Sequence, residues 1–132
     1  MMSARILVVE DNAHIILGIR MALEARGFEV LVAKDGLAAM EMAFDVKPDI
    51  ILLDLIIPKL DGFAVLDGLR KNAATQQIPV VVISAKAGEE DIRRARELGA
   101  RDYLVKPFDP QELAAAVERT LADTAPMKEK KS

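Results

Sequence analysis

The chain has no cysteine and no tryptophan, and its only histidine is His14. Without thiols there is neither a disulfide framework nor a thiolate metal site, and one imidazole cannot build a histidine cluster. That fits a reducing compartment, and a cytoplasmic location is the default expectation. Excess charge of one sign is lacking too. Eighteen basic residues against 21 acidic ones leave a net charge of −3, so no basic field draws this chain to nucleic acid or an anionic membrane. Long apolar runs are also missing. Only Ile6 to Val9 separate Arg5 from Glu10, too few for a signal-peptide core, and nothing approaches the ~20 residues of a membrane span. No internal repeat or low-complexity tract is found.

What the chain does have is 52% hydrophobic content in 132 residues, enough for one domain with a real core and too little for two. Its organising stretch is Ile50-Ile51-Leu52-Leu53-Asp54. This unbroken apolar run reads as a strand covered on both faces, and Pro48 keeps a helix from entering it. Asp54 then stands at the strand's carboxyl end, the edge of an α/β sheet where ligands bind, before Pro58 and Gly62 turn the chain into the next helix. A plain structural role, an aspartate capping that turn, fits this stretch equally well.

The rest of the chain repeats the pattern. Ile6 to Val9 is a second buried strand, ending in Glu10-Asp11-Asn12. From Ala13 to Arg26, Ile16, Ile19 and Leu23, with Leu17, Met21 and Ala22, recur at helical spacing, and Gly27 stops that helix. Val30 to Ala33 is a short strand, followed by a helix whose apolar positions are Leu37, Met40 and Phe44. Phe63, Leu66 and Leu69 mark a third helix ending near Asn72, and Val80 to Ile83 is a strand ending in Ser84. Glu89 to Leu98 is a charged helix with a thin stripe of Ile92, Ala95 and Leu98, closed by Gly99, and so only lightly buried. Tyr103-Leu104-Val105 is the fifth strand, ending in Lys106-Pro107-Phe108. Asp109, Pro110 and Glu112 then start a helix carried by Leu113, Val117 and Leu121. Beyond Asp123 the periodicity is lost, so residues 1–123 read as the domain and 124–132 as a charged tail or the start of a linker. Strands alternating with helices in this way predict a doubly wound α/β domain with a parallel sheet.

In such a sheet the strand ends share one edge, and the first and third strands become neighbours at the topological switch point. Glu10, Asp11 and Asp54 therefore converge, with Ser84 and Lys106 on the same edge. Uncompensated carboxylates repel, so they raise one another's pKa or take up a cation. An all-oxygen, wet, shallow set favours Mg²⁺ over zinc or an enclosed Ca²⁺. A metal, a carboxylate, a lysine and a hydroxyl around one point are the parts needed to receive a phosphoryl group on Asp54, with the carboxylate as nucleophile and Lys106 holding a phosphoryl oxygen.

Here the sequence resembles the receiver domains of two-component response regulators, the chemotaxis-regulator-like group. The resemblance runs from about Arg5 to Leu121 and rests on Val8-Val9-Glu10-Asp11-Asn12, Asp54-Leu55-Ile56-Ile57-Pro58 with Asp61-Gly62, Ser84-Ala85 and Tyr103-Leu104-Val105-Lys106-Pro107-Phe108. Each motif is common alone, whereas all of them in this order and spacing are highly specific. The resemblance implies a flavodoxin-like (βα)5 fold, its five-stranded parallel sheet ordered 2-1-3-4-5 with helices on both faces. Asp54 matches the phosphoacceptor, and Glu10 and Asp11 match the acidic pair that holds Mg²⁺, or Mn²⁺ in its place. The backbone carbonyl of Ile56 matches a further metal ligand. Ser84 and Tyr103 match the switch residues, Lys106 matches the phosphoryl-binding lysine, and the Lys106–Pro107 bond would be cis. Ile56 and Lys86 occupy places that tune dephosphorylation, where a bulky Ile and a long Lys are set to shield the phosphoryl group.

The implied partners are a histidine kinase or histidine phosphotransfer protein upstream, and a separate protein or fused output domain downstream. Phosphorylation adds roughly −1.5 to −2 charges. Inverting a two-state equilibrium needs about 5.5 kcal/mol, which two or three charge-assisted hydrogen bonds of roughly 1.5–3 kcal/mol supply. The face of the fourth helix, fifth strand and fifth helix is the expected moving part, with Tyr103 rotating inward as Ser84 moves. Arg93, Arg94 and Arg96 read as a solvated face or as the pairing charges of a weak phosphorylation-dependent dimer, and Ala114 to Ala116 leave the last helix few charges to match them. His14 reads as a surface residue without a role.

Other classes are less well served. Aspartyl phosphohydrolases of the haloacid-dehalogenase type carry a second Asp two residues beyond the nucleophile, where this chain has Ile56. The expectation is therefore a phosphoacceptor signalling domain rather than a turnover enzyme. Flavin binders of similar topology need a Ser/Thr/Gly-rich phosphate loop, and none follows a strand here. A receiver that only binds partners without being phosphorylated remains a fourth reading, which the full residue set opposes.

Overall fold

The unbroken apolar runs become strands of one parallel sheet in the computed structural model, which describes residues 3–124. In chain order the elements are β1 (Arg5–Val9), α1 (Ala13–Glu24), β2 (Glu29–Ala33), α2 (Gly36–Val46) and β3 (Ile50–Asp54), then α3 (Gly62–Lys71), β4 (Val80–Ser84), α4 (Glu89–Glu97), β5 (Asp102–Val105) and α5 (Pro110–Thr124). The sheet order is β2-β1-β3-β4-β5, the doubly wound order expected.

Alternate residues of the central strands feed two separate cores. Leu7, Val9, Ile51, Leu53 and Val82 face α2, α3 and α4, whereas Ile6, Val8, Ile50, Leu52 and Ile83 face α1 and α5. Both faces being covered explains why β3 and β4 are apolar without alternation. Leu52, fully buried, illustrates the stakes: truncating such a leucine to Ala typically costs about 2–5 kcal/mol, a large share of a domain's total.

Local chemistry sets the helix ends. The side chain of Asn12 accepts from the His14 and Ile15 backbone N–H groups to start α1, and Asp35 and Asp61 cap α2 and α3 likewise. For α5, Asp109 accepts from Gln111 N at 2.8 Å, the cap its sequence suggested. Gly27 and Gly99 take the positive φ angles that end α1 and α4. Lys47 closes α2 at φ 54°, an αL position that the sequence did not announce. Helix α5 runs one residue past the expected boundary, to Thr124, and residues 125–132 of the expected tail lie outside the described residues.

Two helices turn differently from expectation. On α2 the buried residues are Gly36, Ala39 and Ala43, while Leu37 and Phe44, taken above as its inner stripe, are about half exposed. Small residues let α2 lie close to the sheet, and its larger side chains then stand outside. On α1, Ile19 and Leu23 are buried but Leu17 and Met21 are not. Midway along α1, a Cβ at Gly18 would meet nothing within 4 Å. Gly18→Ala is therefore expected to stabilise the protein by about 0.5–1 kcal/mol, raising the calorimetric melting temperature by about 2–4 °C.

Candidate functional site

Strand register assembles the site. Val9 lies beside Leu53, so the next residues, Glu10 and Asp54, emerge at one level from neighbouring strands. Asp54 is level with Ile83, and Ser84 with Val105, so Ser84 and then Lys106 follow one step further along the same edge. The lengths of four strands, β1, β3, β4 and β5, thus bring together residues more than 90 positions apart in sequence.

Carboxylate oxygens of Glu10, Asp11 and Asp54 all lie within 4.8 Å of one another, as expected, and they form the one such cluster among the described residues. Asp11 is exposed, whereas Glu10 and Asp54 are 1% and 3% exposed. The Lys106 ammonium sits 2.7 Å from Asp54 Oδ2 and 2.8 Å from Glu10 Oε1, and the Lys106–Pro107 bond is cis, as the resemblance implied. Backbone N–H groups take the other two oxygens: Ile56 donates to Asp54 Oδ1 at 3.0 Å, and Asn12 to Glu10 Oε2 at 3.1 Å. Glu10 Oε1 has the lysine charge beside it but no donor aligned on it as a hydrogen bond.

The electrostatics follow from burial. Burial pushes the Glu10 carboxyl above its usual pKa, against the opposing pull of Lys106 and the Asn12 N–H, and Asp54 pushes the same way as burial. For Lys106, burial alone would lower the ammonium, but the adjoining Asp54 and Glu10 carboxylates outweigh it and hold its pKa above the ordinary lysine value. One cation thus balances two buried anions, and Asp11 adds a third anion at the rim. A hard dication suits this surplus of anionic oxygen, and Glu10 Oε1, buried without an aligned donor, is an oxygen with capacity to spare.

Ser84 is fully buried; its Oγ accepts from Lys86 N at 3.1 Å, and its hydroxyl hydrogen is placed to donate to the Tyr103 hydroxyl. Tyr103 is already turned inward in this structure. It is 9% exposed, and its hydroxyl donates to the Lys86 carbonyl at 2.8 Å, tying β5 to the loop before α4. Burial raises its pKa. Helix α4 buries only Ala95, the light packing expected. Arg93, Arg94 and Arg96 are all exposed, as the solvated-face reading expects, and the Arg94 guanidinium also stacks 4.2 Å from the centre of the Phe63 ring on α3. His14 is exposed on α1, and Ile56 is 55% exposed.

Sequence reasoning quoted Asn12 without its cap, which fixes the turn carrying Asp11, read Gly62 only as a turn, and passed over Gly36, which lets α2 approach the loop after Asp54. An Asn between an apolar strand and a helix is a readable cap signal. Gly36 carries no local signal, because what it accommodates, Leu60, is distant in sequence.

Among known proteins, the family described as response regulator receiver domain matches residues 6–118. The phosphate regulon transcriptional regulatory protein PhoB of Klebsiella pneumoniae is 40% identical over 126 residues, covering 96% of this chain and 55% of that protein. The alkaline phosphatase synthesis transcriptional regulatory protein PhoP of Bacillus subtilis is 41% identical over 120 residues, covering 91% of this chain and 49% of that protein. The chain thus spans about half the length of these curated relatives. Among solved structures, the receiver domain of a sensor histidine kinase from Pseudomonas aeruginosa, with magnesium coordinated in its active-site cleft, superposes with a TM-score of 0.84 at 30% identity, over 92% of this chain and 99% of that one.

Proposed function

The chain belongs to the response-regulator receiver family of two-component signalling, and from that membership and the acid pocket we propose that Asp54 is its phosphoacceptor. The observation that carries the reading is the contact of Lys106 Nζ with Asp54 Oδ2 at 2.7 Å inside a cluster of two further carboxylates. An isolated buried aspartate that only capped a turn would need neither.

In the proposed reaction an Asp54 oxygen attacks the phosphorus of a phosphohistidine on a histidine kinase or phosphotransfer protein. The P–N bond breaks, and the imidazole nitrogen keeps the electron pair. Lys106 then moves its hydrogen bond from the carboxylate to a phosphoryl oxygen, and Ser84 turns its hydroxyl hydrogen from Tyr103 to another. Glu10, Asp11, Asp54 and the Ile56 carbonyl would hold Mg²⁺, which neutralises the oxygens of phosphorus and carboxylate so that two anions can meet. Mn²⁺, another hard dication, is proposed to substitute. The donor protein approaches from the side where Ile15, Pro107 and Phe108 line an apolar groove of about 490 Å³ beside Lys106.

The readout is proposed to pass through Ser84, Lys86 and Tyr103 to α4, β5 and α5. An element with few buried contacts is cheaply displaced, which suits α4. Output goes to a partner protein or a fused output domain; the transcriptional relatives, about twice as long, support the second. Residues 1–123 are the proposed receiver and 124–132 a tail or linker. The working form is proposed to be a cytoplasmic monomer or weak phosphorylation-dependent dimer, without direct nucleic-acid contact by this chain. Among the described residues no helix is long and apolar enough to cross a membrane. We assign it a signalling role, with no multiple turnover of free substrate.

The test is incubation with Mg²⁺ and acetyl phosphate, followed by intact-mass spectrometry. The expected result is a gain of one phosphoryl group that does not form when a chelator is present from the start. No adduct with any small donor or kinase would leave only the partner-binding reading.

A further inference from the structure

The loop from Leu55 to Asp61 is gripped at two points by glycines. Gly62 donates to the Leu55 carbonyl at 3.1 Å, and a Cβ at Gly62 would lie 2.4 Å from Leu55 Cα. The other grip comes from a distant segment. Gly36, the first residue of α2, donates to the Pro58 carbonyl at 3.1 Å, and a Cβ there would lie 2.4 Å from Leu60 Cβ and 2.8 Å from the Leu60 carbonyl oxygen. Lys59, at φ 72°, reaches Asp35, the cap of α2, at 3.7 Å. Ile56 stands between the two grips, and its N–H holds Asp54 Oδ1.

We propose that Gly36 is a positioning residue for the phosphoacceptor: by letting α2 abut Pro58 and Leu60, it fixes the Ile56 peptide, and with it the orientation of the Asp54 carboxylate and the cation site. This rests on the reading of Asp54 given above, and it extends the site to a helix that contributes no side chain to it.

Local preference does not explain a glycine here. Gly36 has no positive φ, so any residue fits the backbone, and in a helix Ala is preferred over Gly by about 1 kcal/mol. What forbids Ala is space. The obstructing atoms are a side-chain root and a main-chain oxygen, which cannot swing aside as the end of a long side chain can. At Gly68 on α3 the contrast is plain, because a Cβ there would meet only the flexible end of Met40, its Cε at 2.9 Å and Sδ at 3.6 Å. Gly68→Ala makes the same chemical change where α3 faces Met40 of α2, away from the loop. Lys106 fixes only Oδ2 of Asp54, so a displaced Ile56 N–H frees Oδ1 and lets the carboxylate turn.

The experiment measures Mg²⁺ binding by calorimetry, and the Ile56 amide resonance by NMR, on the full chain. Gly36→Ala is expected to weaken Mg²⁺ about tenfold, the usual cost of disturbing a group that orients metal ligands, and to move the Ile56 amide proton. Gly68→Ala is expected to leave both as in the wild type. Unchanged Mg²⁺ affinity and Ile56 resonance in a folded Gly36→Ala protein would overturn the proposal, and so would equal losses in both variants. Should Gly36→Ala not fold, coupling is read in the wild type. Because coupling is reciprocal, Mg²⁺ must slow exchange of the Gly36 amide hydrogen, and no slowing overturns the idea. A wild type that shows this coupling yet takes no phosphoryl group would sink the phosphoacceptor reading and leave the positioning role standing.

Discussion

Asp54→Asn is expected to take up no phosphoryl group, with initial uptake from acetyl phosphate at least about 10³-fold below wild type by intact-mass spectrometry. The substitution keeps the shape of the side chain and removes its charge. An amide oxygen is a far weaker nucleophile than a carboxylate, and the variant also loses one of the three anions that would draw a dication to the pocket. The fold should survive. Lys106 retains Glu10 at 2.8 Å, and the carboxylate lost is one that Glu10 opposed. Melting of the metal-free variant at or above the wild-type temperature would show that lost uptake is chemical rather than structural. A phosphoryl group still carried by Asp54→Asn would place the acceptor elsewhere, and the reading of the pocket would fall with it.

Lys106→Met should have the second large effect, on stability as well as on chemistry. The lysine side chain is 16% exposed and bridges two carboxylate groups that are 1% and 4% exposed, so removing it strands two buried anions. Breaking such a pair commonly costs about 3–5 kcal/mol; because a proton can relieve one carboxylate, the lower figure is expected here, a fall in melting temperature on the order of 10 °C in chelator. Saturating Mg²⁺ should restore more stability to this variant than to the wild type, since a dication held by the acids replaces the missing charge. For scale, a ligand at 100 times its Kd adds about 2.7 kcal/mol. Phosphoryl uptake should still fall about 10²–10³-fold with Mg²⁺ present, because no cationic donor meets the incoming phosphoryl oxygen. Equal metal responses in the two proteins would mean that Lys106 does not share the acids with the metal.

The parts of this molecule visible in its sequence were those with short-range causes. Strands covered on both faces need unbroken apolar runs, so β3 and β4 announced themselves, and with them the polar residues just past their ends. Once the sheet is parallel, Glu10, Asp11, Asp54, Ser84 and Lys106 must share an edge, and their spacing did not need coordinates. Helix faces were harder to read. Size suggested Leu37 and Phe44 as the inner stripe of α2, but close approach to the sheet selected Gly36, Ala39 and Ala43 instead. Only tertiary packing decides between a small residue buried and a large one exposed. The same holds for Gly36 against Leu60 and for Arg94 over Phe63, where the partners lie on other elements and nothing local marks the pair.

The return connections from helix to strand all end on the far rim of the sheet, away from the acids. The longest joins α3 to β4 through Asn72 to Pro79, anchored by the Thr75 hydroxyl on the Leu69 carbonyl at 2.8 Å, with Gln76 and Gln77 exposed beside it. A peptide tag or a whole reporter protein spliced between those glutamines would hang from the underside of the molecule. The chain could equally be reopened there with new termini, and chemistry on the opposite rim would proceed undisturbed.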